Sequence, residues 1–425
     1  MMRVLVVGAS GLIGSAVCAG LHERGMEVVR VVRPGSAPSS ATAGQTLEVD
    51  LRNAGPEAWR RHLPDIDAVV NCAGTLQDGP GEDTEAVHAR GPASLFRACE
   101  QAGVRRVVHF SAMGVDKAQP SPFSRTKLEG DEALMACDLD WVILRPSVVL
   151  GPGAYGASAL FRGLAALPWL PLMPNTGLLQ VVRLEDVVRT VALFVGPDAP
   201  ARLALEVAGP EALTFKDVVS TYRRWFGWPA APVVNVPTPL AGLTYSLSDL
   251  AGALGWRPPT RSTAQKEIVR GARAWIEKTG IEPLALSDAL TRTPVSVQER
   301  WFAKLYLLKP VIFIVLSLFW IMTGVISLTS GYEIGVDLME RGGAGVLAGP
   351  SVIAGALADI LIGTAIALRR TSRIGLYGAV ALSLFYAVAG TVLLPELWNE
   401  PLGPLLKIWP ILVLHLAALA ILEER

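Results

Sequence analysis

Cysteine is scarce in this chain. Four occur in 425 residues, Cys18, Cys72, Cys99 and Cys137. No two stand in C-x-x-C spacing, and each lies in an apolar or helical context. A disulfide framework, a redox dithiol and a metal site are therefore not expected, and buried, reduced thiols are. Net charge is absent too, since 38 basic residues balance 38 acidic ones. A nucleic-acid partner would call for a basic face, so none is expected. The opening MMRVLVVGASGLIG lacks the basic stretch of a secretory leader, and its glycines read better as a strand and a turn. Charge is scarcest near the other end: residues 1–300 hold 60 charged residues, residues 301–425 only 16, clustered between long apolar runs. With 51% hydrophobic residues and a positive mean hydropathy, the chain is too apolar for a wholly water-soluble protein. Its length suits two or three domains.

The apolar, largely β-branched run Val4 to Val7 is followed by a glycine turn. A helix-period pattern of Leu12, Ile13, Val17 and Leu21 then ends at Gly25, and MEVVRVVRP (26–34) reads as a second buried strand. Gly8, Gly11 and Gly14 are spaced G-x-x-G-x-x-G. Such a turn lets the backbone approach a pyrophosphate, whose charge the helix N-terminus stabilises. An acid at the end of the second strand would accept an NAD ribose. Here Val32-Arg33 stands instead, and a cation there suits the 2′-phosphate of NADP(H) better than NAD(H). Strands follow at 46–51, 67–74, 105–114 and 141–153, with a helix near 83–102. The alternation predicts an α/β fold with a parallel, doubly wound sheet. Its strands' carboxyl ends carry Gly8, Arg33, Asp50, Ala73-Gly74, Ser111 and Arg145-Pro146, where ligands bind in such folds.

The stretches GASGLIG, VDL, NCAG, HFSA, KLEGDEAL and LRPSVVLGPG together resemble the extended and atypical short-chain dehydrogenase/reductase superfamily. They are most similar to the NAD(P)-binding branch with the complex I accessory subunit and chloroplast quinone-associated relatives. The resemblance continues through LLQVVRLEDVV (178–188) and LEVAGPEALTFKDVV (205–219). It implies a Rossmann domain over 1–155, completed by substrate-side elements over 156–290. It also implies that Gly8, Ser10, Gly11, Leu12, Ile13 and Gly14 surround the pyrophosphate, and that Arg33 meets the 2′-phosphate. Asp50 and Leu51 would contact adenine, and Ala73 and Gly74 the adjoining ribose. Ser111 would face the nicotinamide, Lys127 would bond its ribose, and Pro146 would join the cofactor contacts.

One departure matters. Members of this superfamily protonate substrate with the tyrosine of Y-x-x-x-K, whose pKa the lysine lowers. The frame here is FSRTK, with Phe123 in the tyrosine position and Lys127 retained. Losing a general acid typically costs on the order of 100- to 10,000-fold in rate. Three readings stay open: cofactor binding without turnover, reduction of an acceptor such as a quinone that water can protonate, or replacement by another residue. Tyr155, in the GPGAYGAS loop, is the candidate substitute, with an ordinary loop tyrosine as the alternative. Ser124 is too weak an acid. His109 and His88 read first as packed core histidines, although His109 shares a strand face with Ser111.

Residues 167–177, 220–229 and 243–260 are rich in aromatic and apolar side chains, fitting a lipid-like substrate or simply a core. Residues 281–294 read as a linker. Four apolar stretches then follow: Pro310 to Tyr332, Gly342 to Leu368, Ile374 to Pro395 and Pro401 to Leu422. Only Asp359 and Lys407 carry charge within them. A bilayer core needs about 20 apolar helical residues, so an all-α, four-helix transmembrane bundle is expected over 291–425. Arg300, Lys304 and Lys309, then Arg369, Arg370 and Arg373, mark the cytoplasmic side of a cytoplasmic membrane. Acidic loops with Glu333, Asp337, Glu340, Glu396 and Glu400 mark the other. The run from Val295 to Leu328 resembles the start of the DoxX-like membrane domain, a broader family linked to quinone chemistry. Asp359 reads as a proton or quinone site or as a helix-to-helix bond, with His415 as its possible partner. The combined expectation is a membrane-anchored NADP(H) oxidoreductase acting on a quinone or other lipid-soluble acceptor. The alternatives are a non-catalytic redox sensor or assembly factor within a membrane complex and, more weakly, a regulated transporter.

Overall fold

The computed structural model describes residues 1–36, 44–76, 78, 83–116, 121–174, 176–254, 256, 271–401 and 403–423. These divide into two compact units, Met1–Ser246 with Pro259–Ala303, and Leu247–Pro258 with Lys304–Arg425.

The first unit is built on a seven-stranded, all-parallel sheet. Its early elements are β1 (Arg3–Val7), α1 (Leu12–Glu23), β2 (Glu27–Val32), β3 (Thr46–Glu48), α2 (Pro56–Arg60), β4 (Ala68–Asn71), α3 (Gly91–Ala102), β5 (Arg106–Phe110), α4 (Pro122–Met135) and β6 (Asp140–Pro146). In space the order is Leu203–Val207, β6, β5, β4, β1, β2, β3. The order reverses between β1 and β4, which opens the crevice where ligands sit in this architecture. Helices cover both faces, so the strands need no polar side. Val4, Val6, Val70, Val108 and Val142 face a core that includes Val17, Leu21 and Phe194. The alternate residues Leu5, Val7, Val69, Val107 and Ile143 face one with Trp59, Leu95 and Phe96. That two-sided burial is why each strand reads as a continuous apolar run.

Three local expectations change. The strand expected over 141–153 is two, because Ser147 leaves the main sheet. Val148–Leu150 then pairs with Val181–Arg183 in a separate two-stranded sheet. The helix expected near 83–102 begins with a π-helical turn, Ala86–Arg90, ahead of α3. The linker reading of 281–294 gives way to a packed segment. Its helix Leu286–Thr291 buries Leu286 and Leu290, and the Leu286 amide donates to Glu211 at 2.9 Å.

The aromatic residues of 220–229 are core. Tyr222 and Phe226 are fully buried with Phe161, and Trp228 stacks on Phe226 at 4.6 Å. Beside them Arg162 lies over the Tyr222 ring at 5.2 Å and pairs with Glu299 at 2.8 Å. Residues 257–260 of the 243–260 segment lie outside the described residues.

Among the described residues, the second unit holds all or most of four helices long and apolar enough to cross a membrane: Val297–Leu328, Gly345–Ala367, Ser372–Leu393 and Pro404–Ile421. The first begins outside this unit and starts earlier than Pro310, which lies within it. Small residues allow close crossings. A Cβ at Gly363 would stand 2.7 Å from the Ser317 carbonyl, and one at Gly375 would stand 2.8 Å from the Ile366 nitrogen. The Ser317 hydroxyl also donates to the Gly363 carbonyl at 2.9 Å. Close backbone approach and such bonds hold helices together where no hydrophobic effect operates.

Candidate cofactor site

The chain reverses after β1 at Gly8, whose φ is +78°. A Cβ there would lie 2.8 Å from the Ala73 nitrogen, so the loops after β1 and β4 are pressed together at the switch point. A Cβ at Gly14 would lie 2.1 Å from the Gly8 carbonyl. Gly11 is different: its constraint is an ordinary contact, and it serves as the extended N-cap of α1. The turn holding Ser10 is fixed by the Gly8 and Ala9 amides, which donate to the Val31 carbonyl at 3.2 and 3.1 Å. Leu12, Ile13 and Gly14 open α1, and amides of a first helical turn have no intrahelical acceptor. The result is a cradle whose closest backbone approaches, at Gly8 and Gly14, carry no side chain, facing a helix N-terminus. That is the steric and electrostatic requirement of a pyrophosphate, and these residues fit a dinucleotide.

Arg33 follows β2 directly and is partly exposed. It lies near enough to Asp50 to act on its charge. Asp50 is gripped by Arg52, with Nε at 2.9 Å and Nη2 at 2.7 Å. This bond chiefly holds its pKa below the usual carboxylate value. Leu51 is buried, and its carbonyl lies against Gly91.

Lys127, on α4, is almost wholly buried. Its ammonium donates to the Phe110 carbonyl at 2.8 Å and lies 3.4 Å from the Ala73 carbonyl. A Cβ at Gly74 would stand 3.5 Å from Nζ. The lysine is therefore fixed where β4 and β5 end. Burial brings its pKa from 10.5 down to about 8, against the opposing pull of Asp131. Ser111, just beyond β5, donates its hydroxyl to Asp131 at 2.9 Å. Pro146 ends β6 and accepts the Met113 amide at 3.2 Å.

Phe123 sits in the first turn of α4, which Ser121 caps by accepting the Ser124 amide. Its ring packs edge-on against His88, with 5.3 Å between centroids. His88 comes from the π-helical turn. Its Nε2 accepts the Thr75 amide at 3.0 Å, which leaves the proton on Nδ1 facing the Thr126 hydroxyl at 3.0 Å. Burial lowers its pKa to about 2. His88 is thus a neutral structural group and no proton source. His109 is similar: it accepts from Asn71 at 3.1 Å, packs on Phe96 and is kept neutral by burial.

Tyr155 precedes the helix Gly156–Ala165. A Cβ on Gly153 would touch both the Tyr155 ring at 3.0 Å and the Leu12 side chain at 3.3 Å. The phenol ring thus lies by the glycine cradle.

The sequence reading missed Asp131. This fully buried carboxylate receives Ser111 and, from Arg145, Nε at 3.1 Å and Nη2 at 3.0 Å. Its other oxygen faces His109 Nε2 at 3.6 Å. Arg145 also reaches Asp116 at 3.3 Å. Burial raises the Asp131 pKa, and Arg145 opposes it. The signal was present in KLEGD: Asp131 lies four residues after Lys127, on the same helix face.

In the second unit Asp359 and His415 do not pair. Asp359 accepts the Tyr386 hydroxyl at 3.2 Å, and His415 Nε2 accepts the Trp320 indole N–H at 2.8 Å.

Residues 8–161 match the NAD(P)H-binding family model, and residues 317–416 match that of the DoxX-like family. An uncharacterized protein of Mycobacterium tuberculosis is 28% identical over 59% of this chain. The match spans about a quarter of that relative's length, 26%. The 3-diazoavenalumate denitrifying reductase of Streptomyces is 27% identical over 60% of this chain and 96% of its own. A photosystem II assembly factor of Synechocystis is 24% identical over 53% and 68%. The fold of the Bordetella bronchiseptica enzyme WbmG, solved with NAD, superposes with a TM-score of 0.54. It is 18% identical and covers 68% of this chain and 92% of that one. The chain joins an NAD(P)H-binding Rossmann domain to a DoxX-like domain with candidate membrane spans.

Proposed function

We propose that this is a membrane-anchored NADP(H)-dependent oxidoreductase whose acceptor, a quinone or similar lipid-soluble molecule, needs no proton from a protein acid. The observation that carries the reading is an intact cradle with Lys127 fixed beside it, while the usual acid position holds Phe123 packed on a histidine that cannot protonate. Gly8, Ser10, Gly11, Leu12, Ile13 and Gly14 would bind the pyrophosphate, and Arg33 the 2′-phosphate. Asp50 and Leu51 would border adenine and Ala73 and Gly74 the adjoining ribose, with Ser111, Lys127 and Pro146 toward the nicotinamide end. When bound, NADP(H) would supply hydride chemistry. Lys127 would orient its ribose and hold a positive charge beside it, and the anion of a reduced quinone would take its proton from water. Tyr155, whose ring lies by Leu12 of the cradle, is the candidate substitute donor. We further propose a cytoplasmic membrane location, with the NADP(H) domain and the basic loops on the cytoplasmic side.

A second reading, a non-catalytic NADP(H) sensor or assembly factor, draws on a specific observation. The Ser111 hydroxyl and the Lys127 ammonium already have protein partners, Asp131 and the Phe110 carbonyl. One experiment separates the two. The purified full chain is titrated with NADPH and then assayed for NADPH oxidation with short-chain quinones. Binding with turnover supports the oxidoreductase, and binding without turnover supports the sensor. Loss of both removes the NADP(H) reading.

A further inference from the structure

The helix Thr238–Ala253 is turned inside out for a helix in water. Its exposed positions include Leu240, Leu243, Leu247 and Leu250, each between 55 and 58% accessible. These recur at i, i+3, i+7 and i+10, so they form one stripe. The better-covered positions, Ala241, Tyr245, Ser248 and Gly252, are small or polar. A helix exposed to water buries its leucines, because taking apolar surface out of water is favourable. Here the leucines are outside, and Asp249 is the helix's only charge.

The C-terminal end of this helix belongs to the unit that carries the four apolar spans. The Leu254 carbonyl accepts the Arg369 amide at 3.1 Å. The Trp256 indole N–H donates to the Ala367 carbonyl, the last residue of the second span, at 2.7 Å. Arg369 lies over the Trp256 ring at 5.6 Å, and Phe313 of the first span packs on it at 4.8 Å. Tryptophan and arginine gathered at the end of an apolar span mark a membrane–water boundary. The helix therefore ends at the boundary that the basic loop of Arg369, Arg370 and Arg373 defines.

We propose that Thr238–Ala253 lies in the plane of the bilayer surface, with its leucine stripe sunk into the boundary between headgroups and acyl chains. It would be a fifth membrane contact, supplied by the segment that follows the NAD(P)H-binding sheet. The occupant of the stripe is lipid. An interfacial helix of this kind binds by apolar area and does not span.

The proposal rests on the membrane reading of the four spans, and its test separates the two. The full chain is reconstituted in lipid nanodiscs with single spin labels at Leu243→Cys, Leu247→Cys and Ser246→Cys. A label at Leu361→Cys, an exposed leucine of the second span, serves as reference, and the parent chain serves as the blank for its four cysteines. Collisions with oxygen, which partitions into lipid, are compared with those of a water-soluble nickel chelate. The expected result is oxygen-favoured contact at 243, 247 and 361 and chelate-favoured contact at 246. Chelate-favoured contact at 243 and 247, with 361 in lipid, overturns this proposal alone. Protection of 243 and 247 from both reagents, with spin–spin broadening, assigns the stripe to a second copy and also overturns it. Chelate-favoured contact at 361 overturns the membrane reading itself.

Discussion

At the scale of single residues, Gly8, Arg33 and Phe123 have separable effects. Gly8→Ala places a Cβ 2.8 Å from backbone at a positive φ. It should lower the melting temperature of the NAD(P)H-binding unit and weaken NADPH at least tenfold in a fluorescence titration. If Arg33 holds the 2′-phosphate as proposed, Arg33→Ala removes a charge-assisted contact worth about 1.5–3 kcal/mol. It should weaken NADPH by about tenfold or more and NADH by less than twofold; equal losses would remove the NADP(H) preference. Phe123→Tyr restores an acid beside Lys127 and should raise NADPH-dependent ketone reduction by about 100-fold over the parent. The buried histidines give a pH dependence. Below the ordinary value of 6.5, the unfolded chain takes a proton at His88 that the folded chain, with its pKa near 2, refuses. Stability therefore falls as pH drops below 6.5, by at most about 1.4 kcal/mol per pH unit for each such histidine. His109 acts in the same direction. Denaturant melts of the first unit between pH 7 and 5 should show this slope, reduced in His88→Gln.

At the scale of elements, the sequence reading succeeded where one local period decided the outcome. It failed where partners distant in sequence did. Gly8-x-x-Gly11-x-x-Gly14 after a valine run is a local signal, and strand, cradle and helix follow it. Nothing local says that the strand through 141–153 breaks at Ser147, because the break comes from pairing with Val181–Arg183. Nor does composition reveal that 281–294 is packed: Ile281, Leu286 and Leu290 carry the contact. Leu286→Ala should thus cost about 2–5 kcal/mol, read as a lower denaturation midpoint for the first unit. A free linker would show no change.

At the scale of the whole molecule, two functions share one chain, a dinucleotide cradle and a set of apolar helices. The basic segments around Lys304 and Arg369 to Arg373 predict their side of the membrane. An impermeant thiol reagent applied to intact cells should label Asp337→Cys and leave Arg370→Cys unlabelled. The reverse pattern would invert the proposed topology.

The sequence by itself determined the architecture of the nucleotide domain, the glycine cradle, the loss of the tyrosine and the four apolar spans. Each rests on a short-range period or on composition, which a linear string carries. Only the tertiary structure decided that Ser111 bonds Asp131, that His88 is locked neutral against Phe123, and that Asp359 bonds Tyr386 while His415 bonds Trp320. It also decided that the leucines of Thr238–Ala253 point outward. Those outcomes depend on which side chains meet across long sequence separations and on what burial does to their charge.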